Sequence, residues 1–292
     1  MCDSIGMTPI QNTATKPESG NEIGRDESAG TSDTEGFLSQ ARTIEMILER
    51  SARTNRTVPI RRVFLQLGEG RDTEPGALKS LVSSRQERAL DLYLLVAAIT
   101  GGPGHSVTEW STTWARTIGI FDQKSGASAV SRAWKALKDL DLITTARGSQ
   151  RRTTVTKCME DGSGPYEPPA NVGEKYLQLP FEYWEEGLHT KLTLAGKAMF
   201  LIALAQRKHK FPLVHARISE WYGLAQKTVA SGIDDLVENG ILAPAGFEYF
   251  DTLAARSGRG SRPLYRLVRP FHQRGLPPTG LEAFPAQTEA GK

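Results

Sequence analysis

Cysteine is nearly missing: Cys2 and Cys158 are the only two in 292 residues. Neither stands at a metal-ligand spacing, so neither a disulfide framework nor a zinc module is expected, and such sparse cysteine suits a reducing compartment. Long apolar runs are missing too. The two longest, at 92–99 and 198–205, fall far short of the roughly 20 residues that cross a membrane. The opening MCDSIGMTPIQN has neither the basic start nor the apolar stretch of a signal peptide. No glycine-rich loop runs into Lys-Ser or Lys-Thr, so a phosphate cradle for nucleotide hydrolysis is absent. No Gly-x-Ser-x-Gly elbow occurs. The five histidines (His105, His189, His209, His215, His272) are scattered, and Glu185-Glu186 reads as a solvated helix end. The expectation is a cytoplasmic protein with no membrane span, no metal, no cofactor and no enzymatic activity.

What is present is a chain of ordinary globular composition, 39% hydrophobic and 24% charged, long enough for about two domains of roughly 150 residues each. Its formal charge of +3 hides an uneven distribution. Residues 1–40 hold seven acids (Asp3, Glu18, Glu22, Asp26, Glu27, Asp33, Glu35) against Lys16 and Arg25, which leaves eight excess positive charges on the remainder. That leader is also rich in Ser, Thr, Gly, Asn and Pro and holds almost no large apolar residue before Phe37. It cannot bury enough surface to offset its ordering entropy, so 1–36 is read as disordered. An acidic leader before a basic body could compete with an anionic ligand for that body, although a solubilising tail is the plainer reading.

The remainder repeats one order of features twice, a pattern worth seeking before any other. Val63-Phe64-Leu65-Gln66-Leu67 is echoed by Lys175-Tyr176-Leu177-Gln178-Leu179. A helix apolar on nearly every side follows in each, RALDLYLLVAAI and then AGKAMFLIALAQ, which predicts two central buried helices. Next comes a Trp-bearing stretch that ends on Gly119 or Gly223, where glycine suits the left-handed backbone that stops a helix. The clearest match sets SAVSRAWKALKDLDLI (128–143) against KTVASGIDDLVENGIL (227–242) without a gap. Val130, Trp134 and Leu137 fall at i, i+4 and i+7, opposite Val229, Ile233 and Leu236, so each stretch is an amphipathic helix packed by a narrow stripe. Polar turns and alternating residues then predict a β-hairpin in each copy.

Helix, helix, tight turn, helix and hairpin is the order of the winged helix-turn-helix, and each copy resembles that superfamily; together they cover about residues 60–270. The opening of the second copy, YLQLPFEYWEEGLHTKLTLAGKAMFLIAL, also looks like the start of domains in plasmid replication initiators, which carry two winged helices in tandem. The resemblance implies a mainly α fold with small β-hairpin wings (α+β). The division expected is a disordered acidic leader at 1–36, a helix at 37–57, winged-helix domains at 58–160 and 174–270, a linker at 161–173 between them, and a disordered tail at 271–292. The apolar stripe of the helix begun by Phe37 is expected to dock on the chain's own body, although it would also serve a homodimer.

Duplex DNA presents a line of phosphates and a donor–acceptor code in the major groove. A reader needs a groove-sized helix with short polar and basic side chains on its outer face, held in register by backbone contacts. Rotating away from the Val130–Trp134–Leu137 stripe brings out Ser128, Ser131, Arg132 and Lys135. Lys124 and Ser125 stand just before the helix, where free N–H groups favour phosphate. Arg132 is the base reader expected, because its fork matches the two acceptors of guanine. Arg147, Gln150, Arg151 and Arg152 make a basic hairpin tip. In the second copy Lys227, Thr228 and Ser231 open the helix, whereas Asp234, Asp235 and Glu238 further along oppose phosphate. The second hairpin carries Arg256, Arg259 and Arg262. The expected partner is therefore double-stranded DNA and the expected role a sequence-specific transcriptional regulator. The alternatives are a replication initiator or partition factor of a plasmid-like element, and a winged-helix module that binds protein. Deleting residues 1–40 is expected to leave the fold intact and, if the leader competes electrostatically, to tighten non-specific duplex binding in a filter or anisotropy assay. An unchanged affinity would reject that competition.

Overall fold

The computed structural model describes residues 38–51, 53–68, 72–168 and 175–271. The acidic leader and, from 272 on, the C-terminal tail lie outside these residues. The first element is α1 (Gln40–Glu49). Ser39 caps it, its Oγ accepting from the Arg42 N–H at 3.2 Å, and Ile44, Ile47 and Leu48 turn inward on one face. The helix docks on the body, where the Gln40 Nε2 donates to the Thr117 carbonyl at 2.9 Å. A truncation at 40 would thus remove the cap and that bond, whereas one after Phe37 leaves the helix whole. The helix stops well before 57, its last turn closed by the Arg50 and Ser51 N–H groups on the Ile47 and Leu48 carbonyls, and Arg53 beyond it is engaged by the body. Its Nε and Nη2 donate to the carbonyls of Ala98 and Ala97 at 3.1 and 2.9 Å, where a cation suits the C-terminal end of a helix.

From here one order of elements runs twice. The first copy is β1 (Thr57–Arg61), a 3-10 turn Arg62–Phe64, the two-residue strands β2 (Gln66–Leu67) and β3 (Glu74–Pro75), α2 (Ala77–Ser83), α3 (Glu87–Ile99), β4 (Ser106–Glu109), α4 (Ser111–Thr117), α5 (Gly126–Lys138), β5 (Ile143–Arg147) and β6 (Thr153–Lys157). The second is β7 (Tyr176–Pro180), the short helices α6 (Glu182–Glu185) and α7 (Leu188–Lys191), then α8 (Leu194–Leu204), β8 (Phe211–Pro212), α9 (His215–Tyr222), α10 (Gln226–Glu238), β9 (Leu242–Asp251) and β10 (Arg259–Leu267). The fold is mixed α+β with small antiparallel sheets, and the two hairpin sheets share one strand order, β4-β6-β5 and β8-β10-β9. As their sequences predict, α3 and α8 are buried on nearly all sides. Gly119 and Gly223 both take the left-handed backbone (φ 67° and 63°) where α4 and α9 end.

One expected echo is corrected. Val63–Leu67 is not the partner of the second copy's strand; Val63-Phe64 lies in the 3-10 turn and Gln66-Leu67 in a short strand. The equivalent of β7 is β1, whose residues TVPIR bury Thr57, Val58, Ile60 and Arg61. Pro59 obscures it in the sequence, yet a two-stranded ribbon leaves open edges where a missing N–H is tolerated.

β1 and β7 pair with each other, antiparallel, with Val58 opposite Leu179 and Ile60 opposite Leu177. An antiparallel pair of strands has a local two-fold axis through its centre, here between Pro59 and Gln178. The copies share a core, and the described residues from Leu38 on form one compact unit. Further ties cross between them. Buried Lys197 of α8 donates to Glu87 and Asp91 of α3, both at 2.8 Å, and burial lifts the Asp91 carboxyl to about 6 even beside that ammonium.

At one end of the ribbon sits a buried charge network. The Arg61 Nη1 lies 3.0 Å and the Lys157 Nζ 2.7 Å from the carboxylate of Glu160, which is fully enclosed. The Arg61 Nη2 also donates to the Glu167 carbonyl at 2.6 Å, and the Lys157 Nζ stands 3.8 Å from the centre of the Tyr166 ring. Burial pushes the Lys157 ammonium down to about 8, against the pull of Glu160. In the described part of the expected linker, 161–168, Tyr166 is therefore packed into the body, while most of its neighbours are exposed. Removing one member of a buried ion network strands the others. Glu160→Gln is expected to cost about 3–5 kcal/mol in urea unfolding; a loss below about 1 kcal/mol would show that the network does not fix the segment after β6 against β1.

Candidate nucleic-acid interface

α5 has thirteen residues and one buried side, formed by Ala129, Val130, Ala133, Trp134 and Leu137. The Trp134 ring meets Trp114 of α4 edge to face, 5.2 Å between centres, a geometry that fixes the helix angle as well as burying area. Its other side is therefore outward, and Ser128, Ser131, Arg132 and Lys135 are all exposed there. Lys124 and Ser125 precede it, also exposed, and Ser125 makes no side-chain cap. The hydroxyls are partly engaged: Ser128 donates to the Ser125 carbonyl at 2.8 Å and Ser131 to the Ala127 carbonyl at 3.0 Å. Each can still accept a bond from outside. The Arg132 Nε donates to the Ser128 carbonyl at 3.4 Å, a long contact that leaves the guanidinium exposed. Lys135 faces Asp139 at 2.6 Å, an exposed i, i+4 pair of small net value that releases readily.

A cleft of about 610 Å³ adjoins this outer face. Its far wall holds Arg85 and Arg88, so four cations (Arg85, Arg88, Arg132, Lys135) line one depression beside Glu87 and Asp139. Sequence reasoning missed Arg85 and Arg88, which precede α5 by some forty positions. The available signal was that α3 is buried beyond its first turn, so charges near its start are the only ones it can present outward.

The first hairpin puts Arg147 at the exposed end of β5, followed by a tight turn in which the Gly148 N–H donates to the Arg152 carbonyl at 2.8 Å. Gln150 at its tip is exposed and left-handed (φ 55°), an uncommon conformation for a residue with a side chain. Arg152 is drawn back instead, its Nη2 donating to the Ser149 Oγ at 3.2 Å and its Cζ lying 5.3 Å over the Trp110 ring. The Arg151 side chain lies outside the described residues.

α10 is the counterpart of α5, also thirteen residues long, with Val229, Ile233 and Leu236 inward. Gly232 allows it to approach α8 closely, since a Cβ there would strike the Ala195 carbonyl and the Met199 side chain. Lys227 and Ser231 are exposed and Thr228 is half-buried. Asp234 and Glu238 face outward as expected, but Asp235 is structural. Its Oδ2 accepts from the Thr193 N–H at 2.8 Å and from the Thr193 hydroxyl at 2.6 Å, which ties α10 to the start of α8. Arg256 and Arg259 at the second hairpin tip are exposed, and neither makes an ion pair among the described residues. Arg262 is held lower on the hairpin, 2.7 Å from Glu248, whose carboxyl that bond keeps below its usual range.

Among the described residues no cluster of three or more His, Cys, Asp or Glu could hold a metal ion, and no helix is long and apolar enough to cross a membrane. No protein-family model, curated protein or solved structure matches the chain. For a duplex ligand, Arg85→Ala and Arg88→Ala are each expected to weaken binding alike on all sequences. Each should also lower the slope of log affinity against log salt by about 1, read by anisotropy over a salt series; an unchanged slope would remove that residue from the interface.

Proposed function

We propose that this chain is a sequence-specific double-stranded DNA-binding protein, built as two tandem winged helix-turn-helix repeats and acting as a transcriptional regulator. The observation that carries the reading is the repeated placement of a thirteen-residue helix, one side in the core and one side outward, directly before a hairpin with exposed arginine. A helix of that kind fits the major groove, and a basic hairpin beside it reaches the flanking backbone or minor groove. In the first repeat Arg132 reads a base, while Arg85, Arg88, Lys124, Arg147 and Gln150 hold the helix in register. In the second, Lys227 and Ser231 engage at the helix start, and Arg256 and Arg259 follow the backbone from the hairpin tip. Asp234 and Glu238 keep the later turns of α10 away from phosphate, so the first repeat dominates readout.

A second reading, a replication initiator or partition factor of a plasmid-like element, is favoured by the β1–β7 ribbon. Through it one chain presents two readers in a fixed relation, which suits iterated sites beside an origin. Selection of bound DNA from a random or genomic library at stated salt distinguishes the two: a promoter operator supports regulation, reiterated sites beside an origin support initiation, and no enriched sequence rejects both. Within the selected site, Arg132→Ala is expected to cost about 1–3 kcal/mol and relax preference at one base position. The pair Arg256→Ala and Arg259→Ala should instead weaken all duplexes alike. Equal loss of specificity from both would contradict this division of labour.

A further inference from the structure

One cavity of the second repeat has a chemistry that the duplex reading does not use. It measures about 560 Å³ and opens between the segment after α8, helix α9 and the β9–β10 hairpin, with Arg62 of the first copy also on its wall, a size in the range of small-ligand sites. Arg207, Lys208 and Lys210 approach from the segment, Arg217 from α9 and Arg262 from the hairpin. Glu248 is the one acid on the wall, and Arg262 already neutralises it at 2.7 Å. Arg207, Lys208 and Lys210 are exposed and make no ion pair among the described residues. The cavity is thus a strongly positive depression.

It is also aromatic. Trp221 and Phe247 line it, and Phe247 is 63% exposed, an unusual state for a phenyl ring. The Arg217 guanidinium lies 5.1 Å over the Trp221 ring, so it covers one face of that ring, and both groups border the cavity. Nucleic-acid bases stack on both kinds of plane. Tyr222 adds a third feature. It is 1% exposed, it lines the same cavity, and its buried hydroxyl has no hydrogen-bond partner among the described residues. A buried polar group left so is uncommon, but this hydroxyl is closed to solvent, so the ring and not the hydroxyl borders the cavity. An acidic peptide would use the cations but leave the rings idle. A planar base attached to a phosphate uses both.

We infer that this cavity binds a nucleotide, with the base against Trp221 and Phe247 and the phosphate held by Arg207, Lys208 and Lys210. The ligand is either a free mononucleotide or one unit of a single strand, because both present the same base and phosphate. This inference does not depend on duplex recognition by α5.

The test uses the full chain and two probes, a labelled oligothymidylate and a fluorescent ATP analogue, with a labelled duplex as control. Trp221→Ala is expected to weaken the bound probe about 10-fold or more, the size of a lost stacking contact. The double variant Arg207→Glu, Lys208→Glu lies on an exposed segment and should do the same without altering Tm. Duplex affinity should stay within about twofold in both. Binding of the oligonucleotide alone assigns the site to a strand, and competition by the ATP analogue assigns it to a free nucleotide. The inference is overturned if the wild-type chain binds neither probe, or if the double variant binds them as well as wild type does. It is also overturned if the variants lose duplex and probe binding in equal proportion, which would make the cavity part of the duplex contact.

Discussion

The pairing of β1 with β7 governs everything else in this molecule. Five residues from each copy form one ribbon, and the apolar residues of that ribbon lie in the same core as α3 and α8. The buried Arg61–Glu160–Lys157 network stands at its end. Such networks add little net stability, because each charge gives up its hydration; their value lies in geometry, since only one arrangement satisfies every group. Lys197 works in the same way between α8 and α3. The relation between the two outward helices is therefore a property of the core and not of a flexible tether. Two surfaces held so need no ordering of a loose linker before both can be engaged at once.

Within that frame the copies have diverged in charge. On α5 the outward residues are neutral or basic, apart from Asp139 at its C-cap, where it pairs with Lys135. On α10 acids take the later positions, and one of them, Asp235, exchanges an outward role for two bonds to Thr193. That exchange stabilises the start of α8, whose cap is the same Thr193 hydroxyl. The second helix is thus tied to its own core through Asp235, where the first copy has the half-buried Ala136. The cations lost from the helix reappear on the hairpin.

Much of this was legible in the sequence, for a definite reason. The spacing of Val130, Trp134 and Leu137, matched by Val229, Ile233 and Leu236, states which side of each helix is buried, and the outward side follows by subtraction. Gly119 and Gly223 mark their turns because few other residues take that backbone. Long-range partnership was not legible. β1 carries a proline and no clean alternation, so the repeat appeared to begin at Val63. Arg85 and Arg88 join Arg132 only through the packing of α3 on α5. The tie from Asp235 to Thr193 spans 42 positions, and nothing local distinguishes it from a solvated acid. Periodicity reports the face of an element; which distant element meets that face is decided by tertiary packing.

The two hairpins show what that difference means. The first has strands of five residues and a turn closed by its own backbone, so it can present little more than its tip. The second has strands of ten and nine residues, with Phe247 and Tyr249 exposed along β9, an edge strand. An open edge carrying exposed aromatic rings invites pairing with other chains, and a shorter hairpin would avoid that cost while keeping arginines at its tip. The added length is explained if the body of the hairpin has work of its own. It carries Phe247 and Arg262 to the wall of the cavity facing Trp221, while Arg256 and Arg259 remain beyond it. One extended arm thus keeps two features apart along its length, exposed arginines at the tip and an aromatic wall nearer its root.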